Sequence, residues 1–228
     1  MMKPLRIGIA GFLLACATVA QAQESDVTGR IRVTGRPAGA SVTTIVYAEP
    51  LDGRAPARPR RANLVQHNKS FEPHVVALPA GSTVDFPNQD LIFHNVFSLS
   101  PPMPFDLGLY RAGASKSRVF AEPATYRVFC NIHPQMTAIL LVLPTPFIAD
   151  VDAVGAYKLA VPRGRYRVTV WSERGKPVST EITVGAGGAT VPELTLDESG
   201  YVELPHKNKY GQDYTSSAYD PTKDKKPR

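Results

Sequence analysis

Cys130-Asn131-Ile132-His133-Pro134-Gln135-Met136 is the stretch of this chain that most constrains its fold. Within seven residues it carries a thiol, an imidazole and a thioether, side chains that together suit a soft transition metal. A strand-like run, residues 125–130, leads into it, and the mostly apolar residues 137–143 follow it. The sequence therefore predicts a short loop that holds metal-binding side chains between two strands.

A second imidazole for such a site is available in His94, which lies 36 residues before Cys130 and opens or precedes the alternating run 93–98. Two imidazoles, one thiolate and a long, weak thioether ligand are the donors of a blue, or type 1, copper site. The sequence thus predicts one copper ion bound by His94, Cys130, His133 and Met136. Zinc is disfavoured because thioethers are not among its usual ligands and three ligands would leave one position open.

The N-terminus has the pattern of a secretory signal. Lys3 and Arg6 precede an apolar run, residues 7–19, and Ala20-Gln21-Ala22 supplies an A-x-A cleavage site. The run is shorter than the roughly 20 residues of a membrane-spanning helix, so no transmembrane span is predicted. An exported protein follows, with a bacterial periplasm as the preferred compartment.

A lipid anchor is the minority alternative at this end of the chain. Leu13-Leu14-Ala15-Cys16 resembles a lipoprotein box, but its second position is atypical and the cleavage site after Ala22 is the cleaner match. Cleavage after Ala22 leaves Cys130 as the one remaining cysteine. An unpaired thiol in an oxidising compartment favours a metal-ligand role for Cys130.

Charge gives only a weak indication of partners. The chain has a formal net charge of +6, which falls to +4 once Lys3 and Arg6 are removed with residues 1–22. The arginines of residues 54–61 and the lysines of residues 223–228 lack interleaved aromatic residues, so no nucleic-acid partner is predicted. A solvated loop and tail is the simplest interpretation, and electrostatic docking to an acidic redox partner is the alternative.

The composition indicates an all-β protein. The 21 prolines and 17 glycines punctuate short alternating runs, and no long stretch has helical periodicity. Residues 74–78 and 82–86, joined by Pro79-Ala80-Gly81, are predicted to form a hairpin. The polar residues from Tyr201 onward are predicted to be disordered.

The quoted motifs resemble those of a small cupredoxin, closest to the plastocyanin, pseudoazurin and amicyanin group. The likeness covers roughly residues 63–145, and its motifs are Phe71-x-Pro73, Gly81-x-x-Val84-x-Phe86-x-Asn88, Phe93-His94-Asn95-Val96 and Cys130-x-x-His133-x-x-Met136. It implies a Greek-key sandwich, the four ligands already named, and an Asn95 that ties the two ligand loops together. Four apolar residues are predicted to keep water from the sulfur: Phe93, Phe97, Phe129 and Ile132. Leu109-Tyr110 and residues 144–147 further resemble exported cupredoxin-like proteins labelled methylamine utilisation proteins.

A second resemblance lies downstream. Residues 155–171 are similar to a carboxypeptidase regulatory-like, transthyretin-type sandwich, and Trp171 is expected in its core. Residues 27–42 have the same pattern and could supply strands to this sandwich. The predicted organisation is a signal peptide (1–22), N-terminal strands with a Pro/Arg-rich loop (23–62), a cupredoxin domain (63–145), a second small β-sandwich (146–200) and a disordered tail (201–228). The second sandwich is interpreted as a scaffold, with binding of a partner or a glycan as the alternative.

Three functions compete at this stage. The leading one is a one-electron carrier that cycles Cu(II) and Cu(I) and docks with an exported dehydrogenase, cytochrome or oxidase. The alternatives are copper storage or delivery, and a metal-free extracytoplasmic binding module. An enzyme is not predicted, because the chain has five histidines, no H-x-H pair and no phosphate-cradling glycine loop. His67, His74 and His206 are expected to be surface residues and not a second metal site.

Overall fold

The computed structural model describes residues 23–203 and 205–214. Within them the chain is all-β, as predicted, with eighteen strands and no helix. The strands are, in chain order, β1 (Glu24–Thr34), β2 (Thr44–Pro50), β3 (Arg61–Asn63), β4 (Val65–His67), β5 (Ser70–Glu72), β6 (Val75–Pro79), β7 (Ser82–Pro87), β8 (His94–Ser98), β9 (Phe105–Tyr110), β10 (Ser115–Phe120), β11 (Ala124–Phe129), β12 (Thr137–Leu143), β13 (Ile148–Asp150), β14 (Ala156–Pro162), β15 (Gly164–Ser172), β16 (Val178–Val184), β17 (Ala189–Thr190) and β18 (Leu194–Asp197).

The middle of the chain forms a β-sandwich. A five-stranded sheet, ordered β6-β12-β11-β8-β9, packs on a three-stranded sheet, β10-β7-β3. Alternate residues of β7 point inward, so Val84 and Phe86 are fully buried against Leu140 and Val128 of the facing sheet. Cys130 and Met136 belong to this same core, so the ligand loop packs on the end of the sandwich and does not project away from it.

The strands outside this segment form a second sandwich. One sheet pairs β1 with β14, β17 and β18, and the other is ordered β13-β2-β15-β16. Its core includes Val27, Val46, Leu159, Val168 and Leu196. The first two strands therefore share sheets with the last six, and the strands β3–β12 are inserted between them in sequence.

Strand β12 packs on both sandwiches, so both of its faces are buried. Ala138, Leu140 and Val142 enter the first core. Ile139, Leu141 and Leu143 point the other way and pack with Ile45 and Trp171 of the second sandwich. Trp171 is 7% exposed, so it is buried as predicted, but it lies in this junction cluster and not in the core of the second sandwich.

The predicted hairpin at residues 74–86 is wrong. Both strands form, but β6 pairs with β12 in the five-stranded sheet, whereas β7 pairs with β10 in the other sheet. Gly81, with a φ of 85°, lies where the chain turns from one sheet to the other. Turn residues between two alternating runs are shared by hairpins and by such corners, so the local sequence does not identify the strand partner.

Several predictions concern residues at the two ends of the chain. The predicted signal peptide, Cys16 included, and residues 215–228 lie outside the described residues. In the part of the chain that the structure describes, no helix has the length and hydropathy needed to cross a membrane.

Candidate metal centre

Three predicted ligand side chains converge in the interior of the first sandwich. His94 Nδ1 and His133 Nδ1 are 3.0 Å apart, and Cys130 Sγ lies 3.9 Å from the first and 3.7 Å from the second. Donors around one metal, with metal–nitrogen bonds of about 2.0 Å and a metal–sulfur bond of about 2.3 Å, lie about 3.5–3.8 Å apart in a trigonal arrangement. The two nitrogen–sulfur distances lie close to this range and the nitrogen–nitrogen distance is shorter, so the three groups are near enough to hold a single ion. Two imidazoles with one thiolate suit copper.

The sheet explains why these residues meet. His94 is the first residue of β8, and Cys130 directly follows β11, which is the neighbour of β8. Strands β8 and β11 are antiparallel, and the Phe97–Phe129 pair sets their register. The start of one strand and the end of the other therefore lie at the same end of the sheet, and both ligands are fully buried there.

The loop between β11 and β12 is closed on itself. The Cys130 N–H donates to the Met136 carbonyl at 3.2 Å, and the Met136 N–H donates to the His133 carbonyl at 3.0 Å. Met136 is fully buried in the same cluster as Cys130, while His133 is 6% exposed. The loop thus presents one imidazole near the surface and keeps the two sulfur atoms inside.

Asp90 orients the ring of His94, a contact that the sequence analysis missed. His94 Nε2 lies 2.7 Å from Asp90 Oδ2, so the ring donates outward and leaves Nδ1 free to face the sulfur. Burial alone would raise the pKa of Asp90, but hydrogen bonds from the Lys69 N–H and from His94 outweigh it and hold the pKa below its ordinary value. The one sequence signal was a carboxylate four residues before a predicted ligand.

Asp90 is itself held in place by a tight turn. Strands β4 and β5 form a hairpin, and its turn residues Asn68 and Lys69 have φ values of 52° and 54°. This left-handed conformation is uncommon for a residue such as lysine. It aims two successive backbone N–H groups at the Asp90 carboxylate, at 2.6 and 2.8 Å. The hairpin therefore supports the carboxylate that orients His94.

The surroundings of the sulfur differ in part from the prediction. Burial raises the pKa of the Cys130 thiol, while backbone N–H groups of residues 95, 132 and 133 act in the opposite direction. Phe97 is fully buried against Phe129, and Ile132 packs on the core, as expected of residues that exclude water. Phe93, however, is 53% exposed, so it does not screen the sulfur from water as predicted.

Asn95 joins the two ligand segments through its backbone and not through its side chain. Its N–H is the group that faces the Cys130 sulfur. Its side-chain Nδ2 instead donates to Asp106 Oδ1 at 2.6 Å. A bulge in the β8–β9 pairing, between Asn95 and Phe97, offsets the register beside Asp106. Asp106 thus becomes part of the hydrogen-bonded surroundings of the thiolate.

Residues 205–214, named here the C-terminal strap, lie against the ligand loop. His206 stacks on Phe129 with ring centroids 4.0 Å apart, and its Nε2 lies 2.6 Å from the Pro134 carbonyl oxygen. The Tyr214 hydroxyl donates to the Cys130 carbonyl at 3.0 Å. Burial, and then the nearby Cys130, raise the pKa of Tyr214 to about 12, so this hydroxyl keeps its proton. Disorder from Tyr201 onward stays a prediction for the tail as a whole, while residues 205–214 make these contacts.

The other histidines form no second cluster. His67 lies 3.6 Å from Glu72, and His74 Nε2 lies 2.7 Å from Glu173 in the second sandwich. Among residues 23–203 and 205–214, the group formed by His94, Cys130 and His133 is the single set of three histidine, cysteine or acidic side chains close enough to hold a metal.

Comparison with known proteins gives the following results. No protein-family model matches the chain, and a search of curated proteins finds no significant match. Similar solved structures do exist. A purple cupredoxin from Nitrosopumilus maritimus is 22% identical, and the likeness covers 36% of this chain and 99% of that one, with a TM-score of 0.33.

Two further neighbours are also copper proteins by name. A Cu-containing nitrite reductase from Thermus scotoductus is 28% identical over 42% of this chain and 25% of that chain, with a TM-score of 0.36. A Cu(I) form of an amicyanin variant is 20% identical over 36% of this chain and 81% of that chain, with a TM-score of 0.34. At these low TM-scores the assignment of the metal centre rests on its own geometry.

Proposed function

We propose that this chain is an exported type 1 copper protein that carries single electrons. The observation that carries the proposal is the buried convergence of His94 Nδ1, Cys130 Sγ and His133 Nδ1 at the end of a β-sandwich. Met136, buried in the same core, would be the weak thioether ligand. Copper bound there would supply the Cu(II)/Cu(I) couple, while the protein fixes the positions of the donors.

The fold supports electron transfer because it holds the donor atoms still. His94 and Cys130 are attached to neighbouring strands, and Asp90 fixes the ring of His94. A site that changes little in shape between oxidation states exchanges electrons readily. His133 is the one ligand with an exposed edge, at 6%, so it would be the exit toward a partner.

A docking surface is available beside the site. Leu91, Ile92 and Phe93, which lead directly into His94, are 96%, 38% and 53% exposed. Exposed apolar residues of this size suit a transient contact with another protein. We propose an exported dehydrogenase, cytochrome or oxidase as the partner, and we assign this chain no catalytic role of its own.

The remaining parts of the chain fit this proposal. The signal-like N-terminus would export the protein, with the periplasm as its compartment. The second sandwich, of carboxypeptidase regulatory-like type, would act as a scaffold, since its Ile45 and Trp171 pack on β12 directly after the ligand loop. A likeness to methylamine utilisation proteins by label would not identify the substrate of the partner.

The test separates electron transfer from copper handling. The signal-free protein is loaded with copper, and two rates are compared: electron exchange between its Cu(I) and Cu(II) forms, and loss of copper to excess chelator. Electron exchange that is much faster than copper loss supports the carrier. Slow exchange with rapid, reversible copper loss would instead indicate storage or delivery. Unaltered partner binding by a Cys130→Ser variant would favour a metal-free binding module.

A further inference from the structure

We propose that the C-terminal strap is a working part of the metal centre, and that Tyr214 and Lys209 are positioning residues that set copper retention and reduction potential. This inference rests on the proposed copper site. It concerns residues far from the ligands in sequence: Tyr214 donates to the carbonyl of a residue 84 positions earlier.

The strap contacts the ligand cysteine itself. The Tyr214 hydroxyl donates to the backbone carbonyl of Cys130 at 3.0 Å, and the Lys209 N–H donates to Asn131 Oδ1 at 3.0 Å. These are the first two residues of the ligand loop. The strap therefore holds the loop at the point where the thiolate is attached, and its loss would give that end of the loop more freedom.

A chain of hydrogen bonds leads from Lys209 of the strap to the Cys130 sulfur. Lys209 Nζ lies 2.8 Å from Asp106 Oδ2, and Asp106 Oδ1 accepts from the Asn95 side chain at 2.6 Å. Asn95 also directs its backbone N–H at the Cys130 sulfur. Lys209 thus places a positive charge on the outer shell of the thiolate, where outer-shell partners tune metal sites.

Aromatic packing also fixes the strap against the ligand loop. His206 stacks on Phe129, the residue before Cys130, with ring centroids 4.0 Å apart and ring planes at 17°. Tyr214 meets the edge of His206 at 5.2 Å. His206 Nε2 also approaches the Pro134 carbonyl at 2.6 Å. The strap thus contacts the ligand loop on both sides of His133 and is docked by shape as well as by hydrogen bonds.

The expected effects follow from charge and from freedom of movement. Oxidation adds one positive charge to the centre, so the Lys209 ammonium and the Tyr214 hydroxyl dipole both disfavour Cu(II). Removing either one should lower the reduction potential. A looser ligand loop should also release copper faster, and changes to outer-shell partners typically cost about 10- to 100-fold in metal affinity.

The experiment uses the signal-free, copper-loaded protein and the variants Tyr214→Phe and Lys209→Met. The matched control is Lys207→Met, because Lys207 lies on the same strap but its ammonium pairs with the exposed Asp213 and not with Asp106. Reduction potential is measured by spectroelectrochemistry, copper loss by transfer to excess chelator, and folding by circular dichroism. Both variants should have lower potentials than wild type, and Tyr214→Phe should lose copper about tenfold faster. Lys207→Met should match wild type in both measurements.

A third variant, ending at Leu204, removes the strap together with residues 215–228 and should show the largest increase in copper loss. If wild type forms a blue copper site but the folded variants retain its potential and its rate of copper loss, the role of the strap is refuted while the copper site stands. If wild type shows no copper–thiolate band, the proposed function and this inference fail together.

Discussion

At the scale of single residues, the imidazole of His94 is fixed from both sides. Its Nδ1 faces the sulfur of Cys130, and its Nε2 is held by Asp90, which is itself held by the Asn68 and Lys69 N–H groups. A ligand whose second nitrogen is bound to a carboxylate has a fixed tautomer and a fixed orientation. Asp90 therefore prepares the site before any metal arrives.

The variant Asp90→Asn tests this role. We expect it to weaken copper binding by about 10- to 100-fold, because the amide holds the His94 ring less firmly and supplies no negative charge. Affinity is measured by competition with a chelator of known strength. Asp52→Asn is the matched control, since Asp52 pairs with Arg165 in the second sandwich. Equal copper affinity in wild type and Asp90→Asn would contradict the orienting role.

Met136 can be tested as a ligand separately from its packing. Met136→Leu keeps nearly the same volume in the core, so its cost in the free energy of unfolding should stay below about 1.5 kcal/mol. If the thioether donates weakly to copper, its removal should raise the reduction potential while the intense thiolate band remains. A variant with an unchanged potential would show that Met136 only fills space.

At the scale of elements, β12 matters most because both of its faces are buried. Leu140 is fully buried in the core that contains Cys130 and Met136. Leu140→Ala should lower the free energy of unfolding by about 2–5 kcal/mol, through lost burial and the cavity left behind. Leu91→Ala, at a 96% exposed position, should change it by no more than about 0.5 kcal/mol. Urea denaturation of both variants measures the difference, and a similar small effect at the two sites would be inconsistent with this core.

Sequence patterns predicted the strands better than their partners. The predicted strand 137–143 has the same bounds as β12. Seven mostly apolar residues followed by a proline favour a short buried strand. The partner of β6 is this same strand, about sixty residues later, and no local pattern encodes that pairing. A turn sequence therefore led to a hairpin where the chain instead changes sheets.

The candidate site shows the same division between local and distant information. Cys130, His133 and Met136 could be found because they lie within one loop, and His94 because its run begins a strand. The contribution of the strap could not be found, because polar composition after Tyr201 is the usual mark of disorder. Its contacts depend on which surface the fold brings within reach.

At the scale of the whole molecule, the two sandwiches meet through an apolar cluster and an ion pair. Ile139, Leu141 and Leu143 pack on Trp171. Beside them, His74 of the first sandwich lies 2.7 Å from Glu173 of the second. The ligand loop leads directly into β12, so this junction supports the strand that begins at the metal centre. The domain limits at residues 63–145 and 146–200 stay predictions.

The His74–Glu173 pair makes the stability of this junction depend on pH. The hydrogen bond to Glu173 is the main cause that raises the pKa of His74, with burial and Arg174 opposing it, and the same bond lowers the pKa of Glu173. The His74 contribution is complete below its unfolded pKa of about 6.5 and is lost as pH rises through the folded value. That of Glu173 is lost as pH falls through its own lowered pKa.

We therefore expect the pair to stabilise the protein most at mildly acidic pH. Because the side chain of His74 is 44% exposed, the effect should be about 1 kcal/mol or less. Urea denaturation of wild type and His74→Gln, in the same metal-loading state, measures it at pH 5.5 and 8.5. The free energy of unfolding of wild type should exceed that of the variant at pH 5.5, and the two values should approach each other at pH 8.5. A difference that does not change with pH would refute the ion pair.

The central claim is that His94, Cys130 and His133 hold copper through a thiolate bond. The most direct measurement is a copper titration of the signal-free protein, with visible spectra of wild type and Cys130→Ser taken side by side. We predict an intense blue thiolate-to-copper band in wild type that saturates at one copper ion per chain and is absent from the variant. A wild-type protein that develops no such band, or a variant that keeps it, would contradict the account.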